Sequence, residues 1–172
     1  MIEVMSNTAK NDLTRNIIID ISDCRISNNP EDVLITYALG SCIAVILYDP
    51  AIKAGGLLHY QLPLSEISPD KAKDRPAMFA DTGIPLLFQM MKMFGSKKKD
   101  LIVKVAGGGQ IADENGTFNI GKRNYVALRK IFWQNEVVIA AEDVGGTKSR
   151  TVKLYIQSGK VVVISNNEVT NL

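Results

Sequence analysis

The stretch from Thr36 to His59 reads TYALGSCIAVILYDPAIKAGGLLH. Val33 to Leu39, just overlapping its start, is rich in apolar and β-branched residues. Ile43 to Tyr48 is an unbroken apolar run of strand length closed by Asp49-Pro50. Both predict buried strands. Gly40-Ser41-Cys42 lies between them, where glycine permits a tight or left-handed backbone and sets Cys42 at the mouth of a strand. A second turn, Asp49 to Gly56, leads into a third strand carrying His59, the only histidine of the chain. Neighbouring strands joined in this way can bring a Cys and a His into hydrogen-bond reach, the minimum for thiol chemistry. Two plainer readings stand beside this one. A Cys in an apolar run is usually an inert small hydrophobe, and Thr36 is also simply a good strand residue.

The rest of the chain frames this core. Residues 1–13 lack periodicity and predict a flexible N-terminal tail, leaving 14–172 as a single domain. Asn16 to Ile26 predicts a first strand containing Cys24. Ser65 to Pro76 has the composition of an exposed loop and is a candidate lip for the site. Phe79 to Phe94 repeats apolar residues at helical spacing, with Asp81 favouring its N-terminus and Pro85 acceptable only in a first turn. Leu101 to Ala106 predicts a strand. Gly107-Gly108-Gly109 lacks the ending of a nucleotide loop, so close backbone approach is the better reading. A helix is predicted from about Gly121 to Gln134 with Val126, Leu128, Ile131 and Phe132 inward. Strands follow at Val137 to Asp143, Thr151 to Gln157 and Lys160 to Ser165, the last two joined at Ser158-Gly159. Seven or eight strands with two substantial helices, in an order unlike regular βαβ succession, predict an α+β protein with a central β-sandwich.

Bulk properties narrow the function classes. Twenty basic against eighteen acidic side chains give a net charge of +2, which implies no strong affinity for nucleic acid or anionic membrane, so no nucleic-acid partner is expected. No segment approaches the length of a membrane span, and the N-terminus has no apolar signal core, so a cytoplasmic protein without membrane insertion is expected. Cys24 and Cys42 are expected to stay reduced there. Two cysteines and one histidine are too few for a usual zinc site, so neither metal nor other cofactor is expected.

The residues quoted above closely resemble the CheD family of chemoreceptor glutamine deamidases. The resemblance is carried by Thr36, by Leu39-Gly40-Ser41-Cys42, and by Leu58-His59 followed by Leu62-Pro63. FADTGIPLLFQMM, KVAGGGQI, NIGKRN and AEDVGGTKSR then follow in family order, over roughly residues 14 to 165. Tyr37-Ala38 stands where Leu-Gly would be expected. The resemblance implies two mixed sheets packed face to face and flanked by helices (α/β/β/α), as in certain cysteine-dependent toxin deamidases. It implies Cys42 as nucleophile, His59 as base and Thr36 as its orienter, with backbone amides near Gly40 and Ser41 as oxyanion donors. The implied substrate is glutamine on the cytoplasmic helical bundle of a chemoreceptor, and a CheC-type phosphatase is an implied partner. A non-catalytic docking module that regulates such a phosphatase is the alternative, because docking needs no chemistry.

Overall fold

The computed structural model describes residues 14–111 and 118–172, so the tail expected over 1–13 lies outside the described residues. Among the described residues, ten strands form two five-stranded sheets. One has the order β1 (Arg15–Ile18), β3 (Asp32–Leu39), β8 (Arg150–Tyr155), β9 (Val161–Ser165), β10 (Glu168–Asn171). The other has the order β2 (Asp23–Ser27), β5 (Ala54–Tyr60), β4 (Ile43–Asp49), β6 (Ile102–Gly107), β7 (Ala141–Val144). Both sheets are mixed, with β1–β3 and β6–β7 parallel and the remaining pairs antiparallel. The expected α+β sandwich of two mixed sheets is therefore present.

Burial explains why β4 and β5 read as continuous apolar runs. Alternate residues of β4 face opposite ways. Ala44, Ile46 and Tyr48 join Leu34, Val152 and Leu154 of the other sheet, while Ile43, Val45 and Leu47 pack with Ile84, Leu87, Leu128 and Phe132 of the helices. A strand covered on both faces has no polar phase. In β8, by contrast, buried and partly exposed residues alternate strictly, the pattern of a sheet with one wet face. The two long helices, α2 (Ala80–Met93) and α3 (Ile120–Gln134), both contribute to the core outside β4 and β5. Among the described residues the layers accordingly run helix, sheet, sheet.

Several local expectations change. The single strand over 16–26 is two strands in different sheets, because the chain turns at Ser22, whose φ is +64°, and crosses the sandwich. The loop over 65–76 contains a 3₁₀ turn and a short helix α1 (Pro69–Asp74), and it folds back on α2. The Asp81 carboxylate anchors it by accepting from Ser65 N at 2.8 Å and Ser65 Oγ at 2.7 Å. Pro85 sits beyond the first turn of α2, which forgoes one helical bond there. Val126 points outward, and Asn124 takes the inward place beside Gly121, Leu128 and Phe132. Strand pairing after α3 begins only at Ala141. The additional strand β10 follows an Asn166-Asn167 hairpin in which both residues have positive φ, as a type I′ turn demands.

The glycine run does serve close approach. A Cβ on Gly107 would lie within contact-breaking distance of the Cys42 carbonyl, and one on Gly121 would lie 2.5 Å from the carbonyl oxygens of both Gly108 and Gly109. Helix α3 thus seats directly on the backbone behind Cys42. Gly121→Ala sets two effects against each other: about 1 kcal/mol gained in helix propensity and roughly 1–3 kcal/mol lost to overpacking against immobile backbone. Overpacking should prevail, lowering the urea midpoint. An unchanged or raised midpoint would contradict this packing.

Candidate functional site

The site begins at an irregularity in β3. Thr36 pairs with Val152, but Leu39 pairs with Arg150, so β3 carries one extra residue. Such a bulge reverses the side-chain phase, and both Thr36 and Leu39 end up buried, at 0% exposure. Ala38 absorbs the distortion with φ of +54°, a left-handed conformation that costs an L-residue roughly 1–2 kcal/mol. The departure from the expected glycine at this position therefore has a backbone consequence, and Ala38 lines the cleft described below.

Past the bulge, the carbonyls of three successive residues are tied back into the protein. The Gly40 carbonyl accepts from Gly109 N at 2.8 Å, the Cys42 carbonyl from Gly108 N at 2.8 Å, and the Ser41 carbonyl from Asn124 Nδ2 at 3.0 Å. In a trans peptide the N–H points opposite to the preceding carbonyl. Pinning the Gly40 and Ser41 carbonyls therefore turns the amides of Ser41 and Cys42 away from the glycine run and from Asn124. The amides of Gly108 and Gly109 are committed to their own acceptors. Gly40, Ser41 and Cys42 form one wall of a cleft of about 550 Å³, with Gly109 to Ile111, Phe118, Ile120, Gly121 and Ser149 around it. Residues 65–76 do not line this cleft, because they are held on α2. They are not its lip.

His59 lies on β5 opposite Ala44 of β4. Cys42 is two residues before Ala44, on the same phase of the strand, and so stands diagonally across from His59, a relation of about 7–8 Å between backbones that side chains can bridge. The imidazole itself faces the other sheet. Its Nδ1 is 2.7 Å from Thr36 Oγ1, and Thr36 Oγ1 also donates to the Ile19 carbonyl at 2.7 Å. A hydroxyl has one proton and a carbonyl can only accept, so Thr36 must accept from His59 Nδ1–H. That fixes the tautomer and leaves Nε2 with its lone pair. Nε2 is buried and makes no hydrogen bond, so it is not bonded to Cys42. The structure brings Thr36 and His59 into contact, and it places Cys42 beside them without closing the Cys–His link.

Burial favours the neutral forms of both Cys42 and His59. Burial pushes the Cys42 thiol up to about 11 and the His59 imidazole down to about 4, with Asp20 partly opposing the latter. An ion pair of thiolate and imidazolium is disfavoured in this dry setting, whereas a neutral imidazole with a free Nε2 is a competent proton acceptor. Cys24 is different in kind. It is buried in the helix-side core, its thiol contacts Met90 Sδ at 3.7 Å, and burial raises it to about 12.

Two polar residues central to this geometry escaped the sequence reading. Asn124, the last residue of NIGKRN, is fully buried and also donates to the Gln61 carbonyl at 2.9 Å. Arg150, the last of AEDVGGTKSR, is buried and bonds Asp143 Oδ1 at 2.8 Å and the carbonyls of Gly145 and Lys148. Its guanidinium holds the Asp143 carboxyl below the ordinary value. It thereby braces the loop whose Gly146 carbonyl receives Gln110 N. An Asn on the inward stripe of a helix was the one available signal.

With this geometry in place, comparison with known proteins is decisive. A family model described as CheD chemotactic sensory transduction matches residues 61–165. The chain belongs to the CheD family. A relative from Syntrophus aciditrophicus, named "Probable chemoreceptor glutamine deamidase CheD 1", is 57% identical over 150 residues, covering 87% of this chain and 94% of that protein. "Probable chemoreceptor glutamine deamidase CheD 2" of Anaeromyxobacter dehalogenans is 47% identical over 91% of this chain and 98% of its own length. A similarly named protein of Solibacter usitatus is 49% identical over 91% and 92%. The family match begins after His59, but an alignment of 150 residues on a 172-residue chain omits at most 22, and so spans Thr36, Cys42 and His59 wherever it starts.

The neutral imidazole makes a prediction. The native value lies below the free value of 6.5, so the unfolded chain binds this proton first. Stability is unaffected by His59 above pH 6.5 and declines as pH falls from there toward 4. In ¹⁵N-resolved NMR, His59 should stay neutral at pH 5.5 with the proton on Nδ1. A midpoint at or above 6.5, or a proton on Nε2, would contradict the assigned bonding.

Proposed function

We propose that this protein hydrolyses the side-chain amide of glutamines on chemoreceptors to glutamate, with Cys42 as nucleophile, His59 as general base and acid, and Thr36 as the orienter of His59. The observation that carries the reading is the Thr36–His59 bond, which leaves Nε2 unprotonated and diagonal to a cysteine that lines a cleft. The names of the relatives supply the substrate class.

The steps follow from those groups. As Cys42 Sγ bonds to the amide carbon of glutamine, its proton passes to His59 Nε2, so charge separates only during the reaction. The carbonyl oxygen becomes an oxyanion. Backbone amides of the Gly40-Ser41-Cys42 turn are its donors, those of Ser41 and Cys42 being the ones turned away from the tied carbonyls. Collapse of the tetrahedral species breaks the C–N bond, and imidazolium returns its proton to the departing ammonia. Water, deprotonated by the same Nε2, then attacks the thioester. The released thiolate recovers its proton and glutamate leaves.

Ile111, Phe118 and Ile120 give the cleft apolar walls, suited to the side of a helix presenting glutamine. The same mouth suits a helix of a CheC-type phosphatase, which would then compete with receptor. Such chemistry belongs in the cytoplasm, where receptor bundles lie. No described helix is long and apolar enough to cross a membrane.

Incubation with a receptor signalling fragment, followed by peptide mass spectrometry, tests the reading. Amide should convert to acid at defined glutamines. Cys42→Ala should lower turnover by more than about 10⁴-fold and His59→Ala by about 10³-fold or more, while Thr36→Val, which leaves the base misoriented but present, should lose less than about 10²-fold. A His59→Ala protein of native activity would end the mechanism. Binding of the fragment by the native protein without any conversion would favour the docking reading instead.

A further inference from the structure

We propose that Asn124 is a positioning residue of the deamidation site, holding the Ser41–Cys42 peptide in the orientation that presents its N–H to the oxyanion. This rests on the function proposed above and adds a residue to it. Asn124 lies in the middle of α3, where asparagine is a poor helix former, and it is fully buried. Both hydrogens of its side-chain amide are engaged: one by the Ser41 carbonyl at 3.0 Å, the other by the Gln61 carbonyl at 2.9 Å. Those acceptors belong to the two chain segments that matter. Ser41 precedes the nucleophile, and Gln61 follows His59 by two residues, immediately past the end of β5.

One planar amide therefore ties the cysteine turn to the end of the histidine strand. It cannot be replaced by its flipped form, since two carbonyls demand two donors. The helix that carries it is held on both sides of the contact. Tyr60 Oη donates to the Asn124 carbonyl at 2.8 Å, and Gly121 packs without room for a Cβ on Gly108 and Gly109. The clamp has little freedom to follow the turn if the turn moves. Asn124 Oδ1, by contrast, is buried without a partner. An apolar residue of similar size would avoid that penalty, so the position makes sense only for the two N–H groups.

The consequence is specific. A hydrogen bond to the Ser41 carbonyl fixes the peptide plane and polarises it, which strengthens the Cys42 N–H as a donor on the opposite side. Acyl transfer develops an oxyanion and depends on that donor. Alkylation of Cys42 by iodoacetamide develops none.

The test uses the full chain with a receptor fragment as substrate. Asn124→Ala should lower kcat about 10²- to 10³-fold, the size of effect seen when an oxyanion donor is lost. KM and the rate of Cys42 alkylation should stay within about threefold of native, and unfolding should stay cooperative. A kcat within threefold of native, or kcat and alkylation falling together by the same factor, would overturn the assignment. Asn124→Asp decides the matter should the alanine variant fail to fold. Its carboxyl can donate to one carbonyl only when protonated, so its kcat relative to native should rise as pH falls. A native-shaped pH profile at native kcat would overturn the role. Native protein that converts no glutamine would instead overturn the function on which the role rests.

Discussion

The hydrogen bond from His59 Nδ1 to Thr36 Oγ1 spans the interior between the two sheets, and the rest of the site is arranged around it. Thr36 stands on β3 and His59 on β5, strands of different sheets that share no ladder. An imidazole and a hydroxyl at 1% and 0% exposure are costly to bury unless bonded. Their mutual bond, backed by the Ile19 carbonyl, satisfies three polar groups at once. Ile19 lies in the segment that crosses from one sheet to the other. The crossover, the bulge and the sheet spacing must all be right for the bond to form.

The same burial sets the chemistry. Burial favours the neutral forms of Cys42 and His59, so the proposed mechanism uses proton transfer coupled to attack in place of the preformed ion pair found in some thiol enzymes. The turn that carries Cys42 is held by different means, since the carbonyls of Gly40, Ser41 and Cys42 each receive a donor from the glycine run or from α3. A side chain on Gly107 would strike the Cys42 carbonyl, and one on Gly109 would press on the Gly40 carbonyl, so the glycines serve close backbone approach where no phosphate loop exists.

Much of this was legible in the sequence because apolar runs and turn residues are local signals. The strands around Cys42 and His59, both long helices and the β-sandwich were readable from them, and the landmarks from Thr36 onward indicated the family. What stayed hidden depends on long-range pairing. Residues 16–26 read as one strand because nothing local marks a change of sheet. The bulge at Tyr37-Ala38 could not be read because its cause lies in the register with β8. Asn124 looked like an ordinary polar residue of α3 because its two acceptors are more than sixty positions away. The loop over 65–76 was assigned to the site by proximity in sequence, whereas Asp81 holds it elsewhere.

The central claim is that Cys42 forms a covalent acyl intermediate with the substrate glutamine, using His59 as its only base. Rapid acid quenching of the native protein with a receptor fragment, read by intact-protein and peptide mass spectrometry, tests it most directly. The account predicts a thioester on Cys42 that joins enzyme and fragment with loss of one ammonia, formed before glutamate appears and reversed by hydroxylamine. Glutamate appearing at its full rate with no adduct on Cys42, or an adduct forming at the native rate in His59→Ala, would contradict it.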